Sequence, residues 1–371
     1  KMTITDYEEI KELGKGSFGR AILALHKPSN EQRVLKIINM TTMDQKERNI
    51  CLQEAQVMQQ LSHPNIVKYY DCFVHNSFLY IVLEYENGGD FSKMIREKRK
   101  TKSYFTEDQI MFFFVQLLLA MKHVHDRHIL HRDLKAQNVF MTMFKTKDGK
   151  QLPQVKLGDF GVSKIMQSTM EQAKTVIGTP YYLSPEICNN QGYNSKSDVW
   201  SLGCILYELC TLQHVYDADN LQALTMKILT QKQPQISEKQ YSADLRQLTQ
   251  EMLTKEAKNR PSVNQVLSKD FVCKWVKKLI PPDVILREFG NAQAKVAVGE
   301  PVVEDAKPTK PAQNAQSMRE FYLQQIGKEK FEYFYNKLKN YEDISSEEIK
   351  QLLGNQAGLV NGIAQLVLLE E

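Results

Sequence analysis

His131-Arg132-Asp133-Leu134-Lys135-Ala136-Gln137-Asn138 is the stretch whose reading decides the fold. It offers a carboxylate, an ammonium two positions on, and an amide able to bind a metal; Asp159-Phe160-Gly161 adds a second carboxylate downstream. A base, a charge neutraliser and two magnesium ligands are the parts that phosphoryl transfer needs, because that chemistry is mostly positioning and charge stabilisation. In isolation the same letters would suit a polar surface loop. Their recurrence in fixed order with other motifs, each followed by the expected element, argues against chance.

The composition sets outer bounds. With 371 residues, 42% hydrophobic and 25% charged, the chain can bury a sizeable core in two or three domains. A net charge of +4 is too mild to imply a nucleic-acid partner. The basic run Arg96 to Lys102 reads as a solvated loop, and no basic and aromatic platform for single strands accompanies it. The six cysteines include no C-x-x-C pair and no zinc-spaced histidines, so reduced thiols and a cytoplasmic location are expected. No signal-like leader and no run of eighteen apolar residues is found, so no membrane association is expected.

Upstream of the opening stretch, residues 7 to 38 alternate apolar and polar in three runs, Tyr7 to Leu13, Arg20 to His26 and Gln32 to Ile38. Each is bounded by turn residues, which predicts three strands. The first turn is Gly14-Lys15-Gly16-Ser17-Phe18-Gly19. A dinucleotide-binding fold shares this spacing but needs a helix straight after the glycines, whereas Arg20 onward reads as a strand closing a hairpin. Such a hairpin can lay backbone N–H groups over phosphates, because no Cβ keeps it away.

Lys36 lies inside the apolar run Val34-Leu-Lys-Ile-Ile, where an unpaired ammonium is costly to bury. From Met43 to Leu61 the pattern is helical, with Ile50, Met58 and Leu61 on one stripe and Glu54 in its middle. Lys36 and Glu54 can answer each other, leaving the lysine to hold phosphates. Two more strands are predicted at Ile66 to Phe73 and Phe78 to Glu84. Glu84 to Asp90 then gains glycines and loses periodicity, which suits a hinge.

A capping box at Thr106 opens a helix to about Asp126 that is apolar nearly all round and so predicts a core helix of a larger lobe. Short strands follow at Val139 to Met143 and Val155 to Leu157, with a surface hairpin around Lys147. Beyond a Ser/Thr-rich stretch, helices are predicted from Ser195 to Thr211 and around 221–229, 243–253 and 263–267. Arg260 lies between the last two, with Glu186 as a plausible buried partner.

Taken together, Gly14-x-Gly16-x-x-Gly19, Lys36, Glu54, His131-Arg-Asp-Leu-Lys-x-x-Asn138, Asp159-Phe-Gly161, Ser184-Pro-Glu186, Asp198-x-Trp200 and Arg260 resemble the eukaryotic protein kinase signature set over residues 7 to 272. Lys135 and Gly178-Thr179-x-x-Tyr182 resemble serine/threonine kinases. Lys156-Leu-Gly-Asp-Phe-Gly, the segment Gly178 to Glu186 and Tyr193 to Leu212 resemble the NIMA-related kinases.

The resemblance implies an α+β, two-lobed protein kinase fold: residues 1–6 an extension, 7–83 the small lobe, 84–90 the hinge and 91–280 the large lobe. A flexible linker would follow at 281–317 and a helical C-terminal module at 318–371. ATP and Mg2+ are the implied cofactors. Leu13, Gly14, Lys15, Gly16, Ser17, Phe18, Gly19, Ala21, Val34, Lys36, Glu84, Glu86, Asp90 and Phe140 would bind the nucleotide. Ala21 and Val34 exchange the family's usual Val and Ala at the adenine roof, which roughly conserves volume.

By the same resemblance Asp133 takes the acceptor hydroxyl's proton, Lys135 steadies the moving phosphoryl group, and Asn138 and Asp159 hold metal. Asp198 braces the loop, and Tyr69, Met58, Phe160 and His131 stack. Thr175 and Thr179 are implied regulatory hydroxyls with Arg132 as the phosphate partner, and Tyr69 is a candidate switch or a packed core aromatic. Protein substrates are implied, with microtubule, centrosomal or ciliary partners and a cytoskeletal location by family analogy.

In the tail, Asn291 to Gln316 has linker composition, while Phe321, Tyr322, Phe331, Phe334, Tyr335 and Leu338 recur at helical spacing around Gly327. Ser345-x-x-Glu348 resembles a capping box, and Gly358 to Leu369 is a third apolar segment. A docking module or a homodimer through these helices is the expectation. The alternative function, a pseudokinase-like nucleotide-binding scaffold acting through its tail, is disfavoured by the presence of Lys36, Asp133 and Asp159 together.

Overall fold

A computed structural model describes residues 2–16, 19–145, 151–160, 181–280, 284–285, 288–289, 315–339, 346–353 and 363. The alternating runs become β1 (Tyr7–Gly16), β2 (Gly19–His26) and β3 (Glu31–Asn39), followed by α1 (Gln45–Met58), β4 (Tyr69–His75) and β5 (Phe78–Glu84). They form one antiparallel sheet in the order β1-β2-β3-β5-β4. Gly19 opens β2 directly opposite Gly16, so the hairpin reading holds and the helix of a dinucleotide-binding fold is absent. A Cβ on Gly19 would lie 1.9 Å from the Ile37 carbonyl oxygen, so sheet packing alone demands this glycine.

On α1 the buried stripe is Cys51, Ala55 and Met58, continued by Leu61. The side chains of Ile50 and Glu54 lie outside the described residues. The expected strand from Ile66 starts instead at Tyr69, because Ile66 is engaged in a parallel bridge to Leu157 of the second lobe.

The second lobe holds α2 (Phe91–Lys100), α3 (Glu107–His125), a single turn at Ala136–Asn138, and the paired strands β6 (Val139–Lys145) and β7 (Gln151–Leu157). There follow α4 (Pro185–Cys188), α5 (Ser195–Thr211), α6 (Leu221–Thr230), α7 (Ala243–Met252), α8 (Val263–Leu267) and α9 (Asp270–Leu279). The basic run expected as a loop lies largely on α2. Asp90 caps that helix through Lys93 N–H, Phe91 and Ile95 are buried, and the cations take the outer face. Thr106 and Gln109 close the predicted capping box on α3.

Helices α3 and α5 are apolar all round because both are buried within the lobe rather than lying on its surface. Among the described residues no helix is long and apolar enough to cross a membrane.

Two compact units divide the chain, Lys1–Glu300 and Pro301–Glu371. Much of the expected linker 281–317 lies outside the described residues, but Ile285 is buried in the first unit's core and Glu288 pairs with His63 at 3.4 Å. The first unit's packing therefore continues past residue 280. In the second unit, α10 (Ala315–Ile326) and α11 (Lys328–Lys339) meet at Gly327, which has φ +81°, and α12 (Ser346–Leu353) follows. Arg319 lies over the rings of Phe331 and Tyr335, and Lys337 bridges to Glu348 at 2.8 Å. Of the expected third segment only Ile363 is described, and it is buried.

Among the described residues Arg260 is the most deeply buried cation of the lobe. Its guanidinium donates twice to Glu186, at 2.9 and 3.1 Å, and once to the Thr254 carbonyl at 3.0 Å, with Trp200 alongside. Ser197 adds a hydroxyl to the same carboxylate at 2.6 Å. Removing one partner of such a pair strands a buried charge. Arg260→Ala is expected to lose about 3 kcal/mol, read as a fall of roughly 6–10 °C in melting temperature. A shift under about 2 °C would show that the pair is not holding the lobe.

Candidate active site

A cavity of about 500 Å³ lies between the sheet and the second lobe. The strands contribute Leu13, Gly14, Lys15, Gly19, Ala21, Val34 and Lys36. Glu84 and Glu86 line it at the end of β5, and Phe140, Asp133, Lys135 and Asp159 line it from the second lobe. Thirteen of the residues expected at this site thus surround one space. Val67, Leu83 and Tyr85 share the lining without having been expected. Leu83 arrives there because it pairs with Val34 across β3 and β5, a register that no local pattern reveals.

Other expected residues fall elsewhere. Asp90 is not among the lining residues, since its carboxylate caps α2. Gly16 ends β1, and Ser17, Phe18, Thr175, Thr179 and the Glu54 side chain lie outside the described residues. The ammonium of Lys36, expected to answer Glu54, is found against the Asp159 carboxylate. Tyr69 stands behind the cavity. Its hydroxyl accepts a hydrogen bond from Gln59 at 3.2 Å, and its ring borders a small enclosed gap beside Met58 and Phe160.

The loop from His131 to Asn138 is held from behind. Asp198 on α5 is fully buried and accepts the backbone N–H groups of His131 at 3.0 Å and Arg132 at 3.1 Å. His125 contributes Nε2 at 2.8 Å, and the Tyr193 hydroxyl also donates to this carboxylate. Burial would push the Asp198 carboxyl up, but these hydrogen bonds outweigh it and hold it below the usual carboxylate value.

Within the loop, Lys135 Nζ lies 2.8 Å from Asp133 Oδ2, and the Asn138 amide donates to the same oxygen at 2.9 Å. The carboxylate's orientation is therefore set by two donors from its own turn. His131 Nε2 meets the Gly158 carbonyl at 3.1 Å; a carbonyl only accepts, so Nε2 carries the hydrogen. Nδ1 then accepts Asp133 N–H at 3.3 Å, and burial lowers the imidazole's pKa, keeping it neutral. Its ring packs on Phe160 at 4.5 Å between centroids.

Backbone ties carry Asp159 to the same place. Val67 N–H donates to the Leu157 carbonyl at 2.8 Å, Leu157 N–H to Asn65 at 2.8 Å, and Gly158 N–H to Asn138 at 3.0 Å. Asn65, from the other lobe, bonds Gln116 and the Val155 carbonyl with its side chain.

The family of protein kinase domains matches residues 7–272, and this chain belongs to it. Nek1 of Mus musculus, a serine/threonine-protein kinase, is 47% identical over 283 residues, 76% of this chain and 23% of that protein. Nek5 of Homo sapiens is 44% identical over 285 residues, 77% of this chain and 39% of that protein. Nekl-2 of Caenorhabditis elegans is 39% identical over 278 residues, 73% of this chain and 75% of that protein. Within the protein kinases the chain is a member of the NIMA-related group. It spans less than half of the Nek1 and Nek5 chains that it matches.

At the cavity edge formed by the end of β5, two carboxylates share one lysine. Lys156 Nζ lies 2.8 Å from Glu84 and 4.0 Å from Glu86. Burial and the neighbouring Glu84 charge push the Glu86 carboxyl from 4.5 up to about 7. A carboxyl whose folded value is raised favours the fold while protonated, and that contribution is lost as pH climbs through the window from 4.5 to about 7. Glu86→Gln should therefore match the wild type in melting temperature near pH 4.5 and exceed it by roughly 2–6 °C at pH 8. Equal melting temperatures at both pH values would show that Glu86 ionises without cost.

Proposed function

We propose that this chain is an Mg·ATP-dependent serine/threonine kinase that transfers the γ-phosphoryl group to hydroxyls of proteins. The observation that carries the reading is the convergence of Lys36, Asp133, Lys135 and Asp159 on one cavity, with Asn138 bonded to Asp133. The donor set suits a hard divalent cation. Asp159 would offer carboxylate oxygens, and Asn138, whose amide nitrogen is engaged by Asp133, would have its amide oxygen left to offer. No packing contact demands glycine at Gly14, where a Cβ would meet nothing within 4 Å, and close approach of phosphates is the role that remains for it.

When bound, ATP supplies the phosphoryl group and Mg2+ offsets its charge. Asp133, held by two donors on one oxygen, orients the acceptor hydroxyl and takes its proton. Lys135 stands 2.8 Å from that carboxylate, where it offsets the charge of the group in transfer. Lys36 brings a second cation to the phosphate end of the cavity. Phe140, Ala21 and Val34 offer an apolar slot for the base, while the segment Glu84 to Glu86 offers backbone groups along its edge.

Phosphorylation at Thr175, with Arg132 as the pairing cation, belongs to the same proposal. Arg132 is half-buried, has φ 65°, and pairs with no carboxylate among the described residues. A cytoplasmic location, cytoskeletal or ciliary partners, and docking or dimerisation through α10 to α12 rest on family likeness and on the aromatic cluster of α11.

The test is transfer of labelled γ-phosphate to a generic acceptor protein such as casein. Asp133→Asn should lower the rate about 10²- to 10⁴-fold while ATP still shifts the melting temperature. Equal transfer by mutant and wild type would end the assignment of Asp133.

A further inference from the structure

One histidine of the second lobe takes no direct part in the proposed transfer. His214 follows α5 just beyond Leu212, whose φ of 61° turns the chain. Its ring lies flat on Tyr181, with centroids 3.9 Å apart and planes within 7°. Its Nδ1 is hydrogen-bonded to Glu208 Oε1, and since a carboxylate only accepts, Nδ1 carries the hydrogen. Glu208, on α5, is 4% exposed. Its other oxygen accepts the Tyr182 hydroxyl at 2.8 Å, and that hydroxyl in turn accepts Ala136 N–H at 3.2 Å. Ala136 directly follows Lys135 in the loop that carries Asp133.

The direction of each bond in this chain depends on the one before it. While His214 donates to Oε1, the Glu208 side chain is held so that Oε2 accepts the Tyr182 hydroxyl, leaving the phenol oxygen to accept Ala136 N–H. Without that donor, Oε1 is desolvated and uncompensated, which favours rotation of the Glu208 side chain away from this geometry. With Oε2 turned away, the Tyr182 hydroxyl would swing to another partner and Ala136 N–H would lose its acceptor.

We infer that His214 is a positioning residue for phosphoryl transfer, holding Glu208 so that Tyr182 fixes the loop at Ala136 and thereby Lys135. The effect on turnover rests on the kinase reading; the effect on the loop does not. The imidazole is reachable from solvent, with its side chain 26% exposed beside a cavity of about 420 Å³ that Arg99, Lys102 and Asp217 also line.

Two substitutions in the full chain separate the hydrogen bond from the ring. His214→Phe keeps a ring on Tyr181 and has no donor; His214→Asn keeps a donor near Nδ1 and has no ring. The expected result is a fall of roughly tenfold in kcat toward an acceptor protein for the phenylalanine variant, with KM for ATP unchanged, and a return to within about threefold of wild type for asparagine. Amide hydrogen exchange at Ala136 should quicken by about tenfold in His214→Phe and stay near wild type in His214→Asn. In a Glu208→Gln background, His214→Phe should cost under about twofold more.

Wild-type kcat and exchange in His214→Phe, or equal losses in the two variants, would overturn the inference, and so would a KM for ATP that rises in step with the loss of kcat. A wild-type chain that transfers no phosphate would end the kinase reading, and the exchange comparison would still decide whether His214 fixes the loop.

Discussion

The buried carboxylate of Asp198 is the constraint on which the rest of the site depends. It gathers two consecutive backbone amides, an imidazole and a phenol onto one side chain of α5, within a helix that is itself core. Arg132 can persist in the left-handed region because its N–H is held there; a non-glycine residue with φ 65° costs roughly 1–2 kcal/mol unless its surroundings compensate. The carboxylate in turn tolerates complete burial because its donors replace water. Loop geometry and helix packing are therefore two aspects of the same contact.

From that anchor the site extends through the backbone more than through side chains. His131 reaches the Gly158 carbonyl, Gly158 reaches Asn138, and Leu157 exchanges hydrogen bonds with the segment Asn65 to Val67. Gly158 has little room to be anything else, since a Cβ there would come within 2.9 Å of both Phe140 and Val67. Asp159 follows with φ 58°, so its carboxylate meets Lys36 of the opposite lobe. These main-chain hydrogen bonds bring Asp133, Lys135 and Asp159 to the cavity that Lys36 also lines, and that leaves the side chains free to do chemistry.

Much of this was legible in the sequence where a residue's role is local. The strands of the sheet, the capping box at Thr106, the helix from Ser195 to Thr211 and the pairing of Arg260 with Glu186 follow from alternation, caps and the cost of a buried charge. Arg96 to Lys100 was misread as loop because charge density hid the Phe91 and Ile95 spacing that makes α2 amphipathic. Ile66 was misread as strand because its partner, Leu157, is ninety-one positions away. Asp90 was placed at the cavity by resemblance, whereas its carboxylate is used locally as a helix cap.

By itself the sequence determined the fold class and the chemical inventory: a glycine-rich hairpin, a lysine in a strand, Asp133, Lys135 and Asn138 within one turn, and Asp159 after β7. Those are short-range facts, set by side-chain period and by residues few positions apart. Only the tertiary structure decided that Lys36 rests on Asp159, that Leu83 and Val67 complete the cavity wall, that Glu84 and Glu86 share Lys156, and that His214 reaches Ala136 through Glu208 and Tyr182. Each of these joins segments whose separation along the chain bears no relation to their distance in space. Register across the sheet and burial against α5 choose those partners, and neither is written in any local pattern.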